Sequence, residues 1–175
     1  MRRKVIIAVL IIVTFILQTT IFLTLAVASV APNLLLILTV TFGFMRGKKE
    51  GLWIGFFCGL CIDLLYSDMV GLNALVYMYI GYLNGFLYKV FYDEDIKVPV
   101  ILIGISDLAY SMIVYILQFL IRVRLDFADY LQHIIIPEMV YTIVIAIIIY
   151  RPLYKLNRKF VENEMEGQEL PWLKR

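Results

Sequence analysis

Charge is what this sequence has least of. Only 17% of its 175 residues are Asp, Glu, Lys or Arg, against 62% that are apolar or aromatic. A soluble domain of this length cannot bury so much apolar surface, because its interior grows only as its volume does. An ordinary water-soluble globule is therefore excluded, and a bilayer, whose interior is itself apolar, resolves the conflict. The net charge of +2 is too small and too dispersed for a nucleic-acid partner. Histidine occurs once, at His133, and cysteine twice, at Cys58 and Cys61. Two cysteines allow no disulfide framework beyond one local pair. With no His or further Cys near them they make no metal or redox set, and they read as inert buried thiols. No G-x-S-x-G, H-E-x-x-H or phosphate-binding glycine loop is present. Ser106-Asp107 lacks the His or Lys base that an intramembrane nucleophile requires. No catalytic residue, cofactor or metal is expected.

What the chain does have is long apolar runs. A spanning helix needs about 20 mostly apolar residues. Val5–Val30 qualifies, after the basic start Met1-Arg2-Arg3-Lys4. Ala26-Val27-Ala28 mimics a cleavage site, but the run far exceeds the ~7–15 residues of a signal core, so it reads as a retained first span. Pro32-Asn33 breaks that helix. Leu34–Met45 and Gly51–Tyr66 are shorter runs, separated by Arg46-Gly47-Lys48-Lys49-Glu50. Val70–Tyr92 and Val98–Ile121 are full spans, and Ile134–Tyr150 is the last. The expectation is an all-α, polytopic membrane protein with six transmembrane helices. It comprises a membrane domain over 1–152 and a charged cytoplasmic tail over 153–175. Helices two and three form either two tilted short spans or one re-entrant hairpin, which other helices would have to shield.

The basic residues favour six full crossings. Arg2, Arg3 and Lys4 fall on the same side as Arg46, Lys48 and Lys49, as Lys89 and Lys97, and as Arg151, Lys155, Arg158 and Lys159. The other side carries only Arg122 and Arg124, each near an aspartate. The positive-inside rule then places both termini in the cytoplasm.

Three acids interrupt apolar helices: Asp63, Asp107 and Glu138. A charge near the bilayer centre costs at least ~2.5–3.5 kcal/mol on insertion scales, so each needs a reason. No basic residue lies deep enough to pair with them. Asp63 and Asp107 are expected in interhelical hydrogen bonds, and Glu138 at the outer interface. A proton or ligand site is the other reading. Gln18, Asn73, Asn84 and Gln118 are expected in interhelical hydrogen bonds as well. Glycine recurs every fourth residue at 43, 47, 51, 55 and 59, and Asp63 continues the series. Gly81 and Gly85 repeat the spacing. In lipid, glycine lets helix backbones approach closely. The face serves either packing within the chain or contact with another membrane protein.

The segment Pro32-Asn33-Leu34-Leu35-Leu36, then Gly51 to Asp63 through Gly55, Phe56, Gly59 and Leu60, then Gly71-Leu72-Asn73-Ala74-Leu75, resembles the MreD family of rod shape-determining proteins. That resemblance implies a bacterial plasma-membrane scaffold of the cell-elongation machinery, with no chemistry of its own. It implies an MreC-like partner and, through the complex, MreB, RodA and a class B penicillin-binding protein. Gly51, Gly55, Phe56, Gly59, Asp63 and Gly71 become candidate partner-binding or helix-packing residues. Asp63, Asn73, Asp107 and Glu138 become candidate polar intramembrane residues. The family's fold is similar to the substrate-binding S-component of energy-coupling-factor vitamin transporters, so such a carrier is the alternative. An alanine-rich coupling face is not evident on the first helix, which carries only Thr20, Thr24 and Ala28.

Overall fold

A computed structural model describes residues 2–24, 31–66, 70–89, 96–122 and 130–169. Within these residues the chain is all-helical. The helices are α1 (Arg2–Thr24), α2 (Leu34–Arg46), α3 (Lys48–Tyr66), α4 (Leu72–Asn84), α5 (Lys97–Arg122) and α6 (Ile136–Glu169). A 3-10 turn at Leu87–Lys89 follows α4, and a π turn at Leu131–Ile135 leads into α6. Three helical stretches are long and apolar enough to cross a membrane: Arg3–Thr20, Lys97–Leu117 and Leu131–Val161. Several expectations fall outside the described residues. They are the end of the first run at 25–30, the turn at 67–69, the acidic loop before Ile96, Arg124 and the side chain of Gln118.

α2 is the centre of the molecule. Its sequence is apolar on every face, and such a helix must be enclosed on every face. Every residue from Leu34 to Phe44 is buried, and α2 touches all five other helices. α1, α5 and α6 stand around it and turn apolar stripes outward. Val9, Ile12 and Ile16 of α1, Ile101 and Ile105 of α5, and Val140, Val144 and Ile148 of α6 are exposed. On a soluble monomer so much exposed apolar surface would be a liability. Against lipid chains it carries no such cost.

α3 and α4 make the most extensive helix–helix contact in the described structure, and glycine is the reason. A Cβ added at Gly51 would fall under 3.0 Å from the Gly81 carbonyl, and one at Gly81 equally close to the Gly51 carbonyl. A Cβ at Gly55 would strike the backbone of Tyr77, and one at Gly59 the backbone of Asn73 and Ala74. Gly43 extends the contact from α2 onto Gly81. These are backbone-to-backbone approaches with no flexible side chain to give way. Gly43, Gly51, Gly55, Gly59 and Gly81 thus pack against backbone within the chain.

The helix lengths differ from those expected. Hydropathy predicts a full span over Val70–Tyr92, yet α4 covers only 13 residues, about 20 Å at 1.5 Å per residue. Its start is fixed by Gly71, whose φ of +106° is left-handed and cannot continue a helix backwards. Near its end the Asn84 amide turns back to the Ile80 carbonyl, and Gly85 lies against the backbone of Gly47 and Lys48. α3, at 19 residues, is longer than its apolar run because the basic turn is itself helical from Lys48. The last helix is continuous across 152/153. α6 passes through Pro152 to Glu169, and Leu153, Asn157 and Phe160 are buried.

One end of the bundle gathers the basic groups. Arg3 of α1 pairs with Glu50 of α3. The Arg46 guanidinium donates to the Asn157 side-chain oxygen and lies 5.8 Å from the centre of the Phe160 ring. Lys48 sits 3.4 Å from the centre of the Phe86 ring. The α2–α3 turn is thereby tied to α1, to the end of α4 and to the extension of α6.

Gly55→Leu and Gly59→Leu each force bulk into a backbone contact. Thermal melts in detergent should show a loss above about 3 kcal/mol, or no folded protein at all. Trp53→Leu, on the exposed face of the same helix, should cost under about 0.5 kcal/mol.

Candidate polar site

The opposite end of the bundle holds a hydrogen-bonded polar core contributed by five helices. Asp63 is its anchor. It is 1% exposed, near the end of α3, and it faces the N-terminus of α4. One carboxylate oxygen accepts from the Gly71 N–H at 2.9 Å and the Ala74 N–H at 2.8 Å. The other accepts from the Asn73 N–H at 3.1 Å and the Asn73 amide at 2.9 Å. A helix N-terminus leaves its first N–H groups without internal partners, and an acceptor there also meets the positive end of the helix dipole. Gly71 is the capping residue of α4 but has no side chain to cap with. Asp63 supplies that cap from the neighbouring helix.

This geometry explains the spacing from Asp63 to Gly71-Leu72-Asn73-Ala74. Gly71 is needed for its left-handed φ, and a Cβ there would meet nothing within 4 Å. It stands in the turn, where no packing contact within the described chain falls on it. Phe56 is half-buried and belongs to an aromatic trio with Trp53 and Phe57 on the face of α3 away from α4.

From Asn73 the network continues. The Asn73 side-chain oxygen accepts from the Tyr110 hydroxyl of α5 at 2.9 Å. Tyr110 meets Tyr77 of α4 edge-on, with ring centres 5.0 Å apart. The Tyr77 hydroxyl donates at 2.6 Å to the side-chain oxygen of Asn33. That oxygen also caps α2 by accepting from the Leu36 N–H at 3.2 Å. The Asn33 N–H in turn donates to the Thr142 hydroxyl of α6 at 3.1 Å. Two further bonds join neighbouring helices outside this chain of contacts. Gln18 of α1 accepts from the Leu35 N–H at 3.1 Å, and the Asn84 amide donates to Ser106 of α5 at 2.9 Å.

Asp107 differs from Asp63. It is equally buried, at 1% exposure, and it faces Thr142 and Asn33. Yet neither of its oxygens accepts a hydrogen bond of ordinary geometry from the protein. Glu138 is half-buried one turn before Thr142 and lies within electrostatic range of Asp107. The structure therefore joins Asp63 and Asn73 directly, and sets Asp107 and Glu138 beside them around Tyr110.

Sequence reasoning missed three members of this core: Asn33 as a hub, Tyr110 and Thr142. A signal existed for each. Asn33 follows a proline at a helix start, the capping position. Tyr110 is three residues after Asp107, and Thr142 four after Glu138, so each shares a helix face with an acid already singled out.

Cys58 is buried, Cys61 is partly buried, and both are free. His133 is exposed in the π turn, away from the core. Among the described residues no group of three or more His, Cys, Asp or Glu is arranged for a metal. The arrangement ties helices together with amides, hydroxyls and one capping carboxylate.

These features describe an all-helical protein with long apolar helices and polar groups that hydrogen-bond between its helices. The family model for rod shape-determining protein MreD matches residues 1–160, and the chain belongs to that family. No curated protein and no solved structure matches it, so the likeness to a vitamin-carrier fold gains no support.

Asp63→Asn would turn an NH2 group toward backbone donors. It should destabilise the protein by about 1–3 kcal/mol in a detergent melt, the cost of leaving buried donors unsatisfied. Gly71→Ala should cost a further ~1–2 kcal/mol through left-handed strain alone.

Proposed function

We propose that this protein is a non-enzymatic scaffold of the bacterial cell-elongation complex. In this reading it crosses the plasma membrane six times with both termini in the cytoplasm. It binds an MreC-like partner and, through the complex, acts with MreB, RodA and a class B penicillin-binding protein to maintain lateral wall synthesis. The observation that carries this reading is the family match over residues 1–160. The geometry supports it in two ways. Arg3, Arg46 and Lys48 collect at the end where α6 carries its basic extension, as the positive-inside rule requires of one cytoplasmic face. The short α2 and α4 lie among longer helices, which is where a short crossing can be shielded.

The structure redirects where the partner is sought. Gly51, Gly55 and Gly59 are covered by α4, so a partner helix would lie on an outward face of the bundle. Gly55→Leu would then weaken partner capture only indirectly, by disrupting the α3–α4 pair.

Depletion from rod-shaped cells lacking a second copy should convert them to spheres, with lateral wall incorporation lost before division stops. Cells that keep their rods under full depletion would contradict the assignment. In cells, Gly55→Leu should lower the amount of folded protein and the MreC-like partner recovered with it in the same proportion.

A further inference from the structure

Asp107 is a fully buried carboxyl whose position the hydrogen-bond network of the described residues does not account for. Asp63, at the same burial, has four donors. Asp107 has none of ordinary geometry, although both of its oxygens are shut off from solvent. A buried polar atom left unpaired costs about 1–3 kcal/mol, and more when the group is charged. Such a group in a folded protein calls for a reason. Its surroundings sharpen the question. Thr142 and Asn33 face it, Glu138 adds a second acid within electrostatic range, and Tyr110 stands beside both.

We propose that Asp107, with the Thr142 hydroxyl, forms a binding site for a small monovalent cation at the junction of α2, α5 and α6. Three features select that ligand class. The available groups are oxygens, which suit a hard, oxygen-seeking cation and not a thiolate- or imidazole-loving metal. A single carboxylate is fully buried, so one positive charge neutralises the site, whereas a divalent ion would leave an excess at low dielectric. The Glu138 carboxyl, nearer the surface, adds oxygen ligands on the side from which a cation would enter. An ion bridging Asp107 of α5 and Thr142 of α6 would fasten the peripheral pair to α2, because Thr142 already receives the Asn33 N–H. The site is independent of the role in the elongation complex, and its failure would leave that role untouched.

Sodium is the probe. Purified full-length protein in detergent is melted in sodium chloride and in N-methylglucamine chloride at equal ionic strength, and 22Na+ binding is measured at equilibrium. The expected result is saturable binding of about one ion per chain, with a melting temperature that rises with sodium along the same curve. Asp107→Asn should abolish both effects. Should that variant fail to fold, Thr142→Val provides the second reading, with its sodium midpoint shifted to higher concentration. Equal melting in both salts with no bound 22Na+ would overturn the proposal. So would sodium binding that survives Asp107→Asn, or a response to pH without any response to sodium.

Discussion

The carboxylate of Asp63 at the N-terminus of α4 is the contact on which the rest of the bundle depends. In the hydrocarbon of a bilayer an unsatisfied backbone N–H has no water to turn to. α4 begins at a glycine, which cannot cap itself, so its first amides need an acceptor from elsewhere. Asp63 provides it, and in doing so fixes the register of α3 against α4. That register sets Gly51 against Gly81, Gly55 against Tyr77 and Gly59 against Ala74. A shift of even one residue would drive side chains into backbone. The cap and the glycine ladder are thus one device, polar at one end and steric along its length.

The remaining helices are arranged around that device and around α2. The hydrophobic effect does not hold helices together in lipid, so close packing and hydrogen bonds must do so. The polar core ties α2, α3, α4, α5 and α6 at one end, through Asn33, Asp63, Asn73, Tyr110 and Thr142. The clasp of Arg46 on Asn157 and Phe160, with Arg3 on Glu50, ties α1, α2, α3 and α6 at the other. Between these ends the outward surfaces are apolar and suited to lipid or to another membrane helix.

Much of this was legible in the sequence. The apolar runs gave the six helices, because hydropathy reports what a bilayer demands. The four-residue glycine spacing gave the close contact, because i, i+4 residues share a helix face. An acid in an apolar helix is costly, and that singles out Asp63. Its partner was hidden, since nothing local says that a carboxyl eight residues before a glycine will cap the helix that glycine begins. The lengths of α4 and α6 depart from the hydropathy pattern for a related reason. Tyr82, Leu83 and Phe86 are apolar enough to extend a span, but α4 ends at Asn84 where Gly85 packs against the backbone of Gly47 and Lys48. The charged residues after Arg151 look like a loose tail, yet Asn157 and Phe160 give that stretch a buried side that only the folded position of Arg46 reveals.

Hydrogen–deuterium exchange at the start of α4 tests the central claim most directly. In detergent-purified protein the amides of Gly71, Asn73 and Ala74 should exchange as slowly as those in the middle of α2. In Asp63→Asn, exchange at these three should accelerate selectively. Rapid, loop-like exchange of these amides in the unaltered protein would contradict the account, because the cap would not be there to protect them.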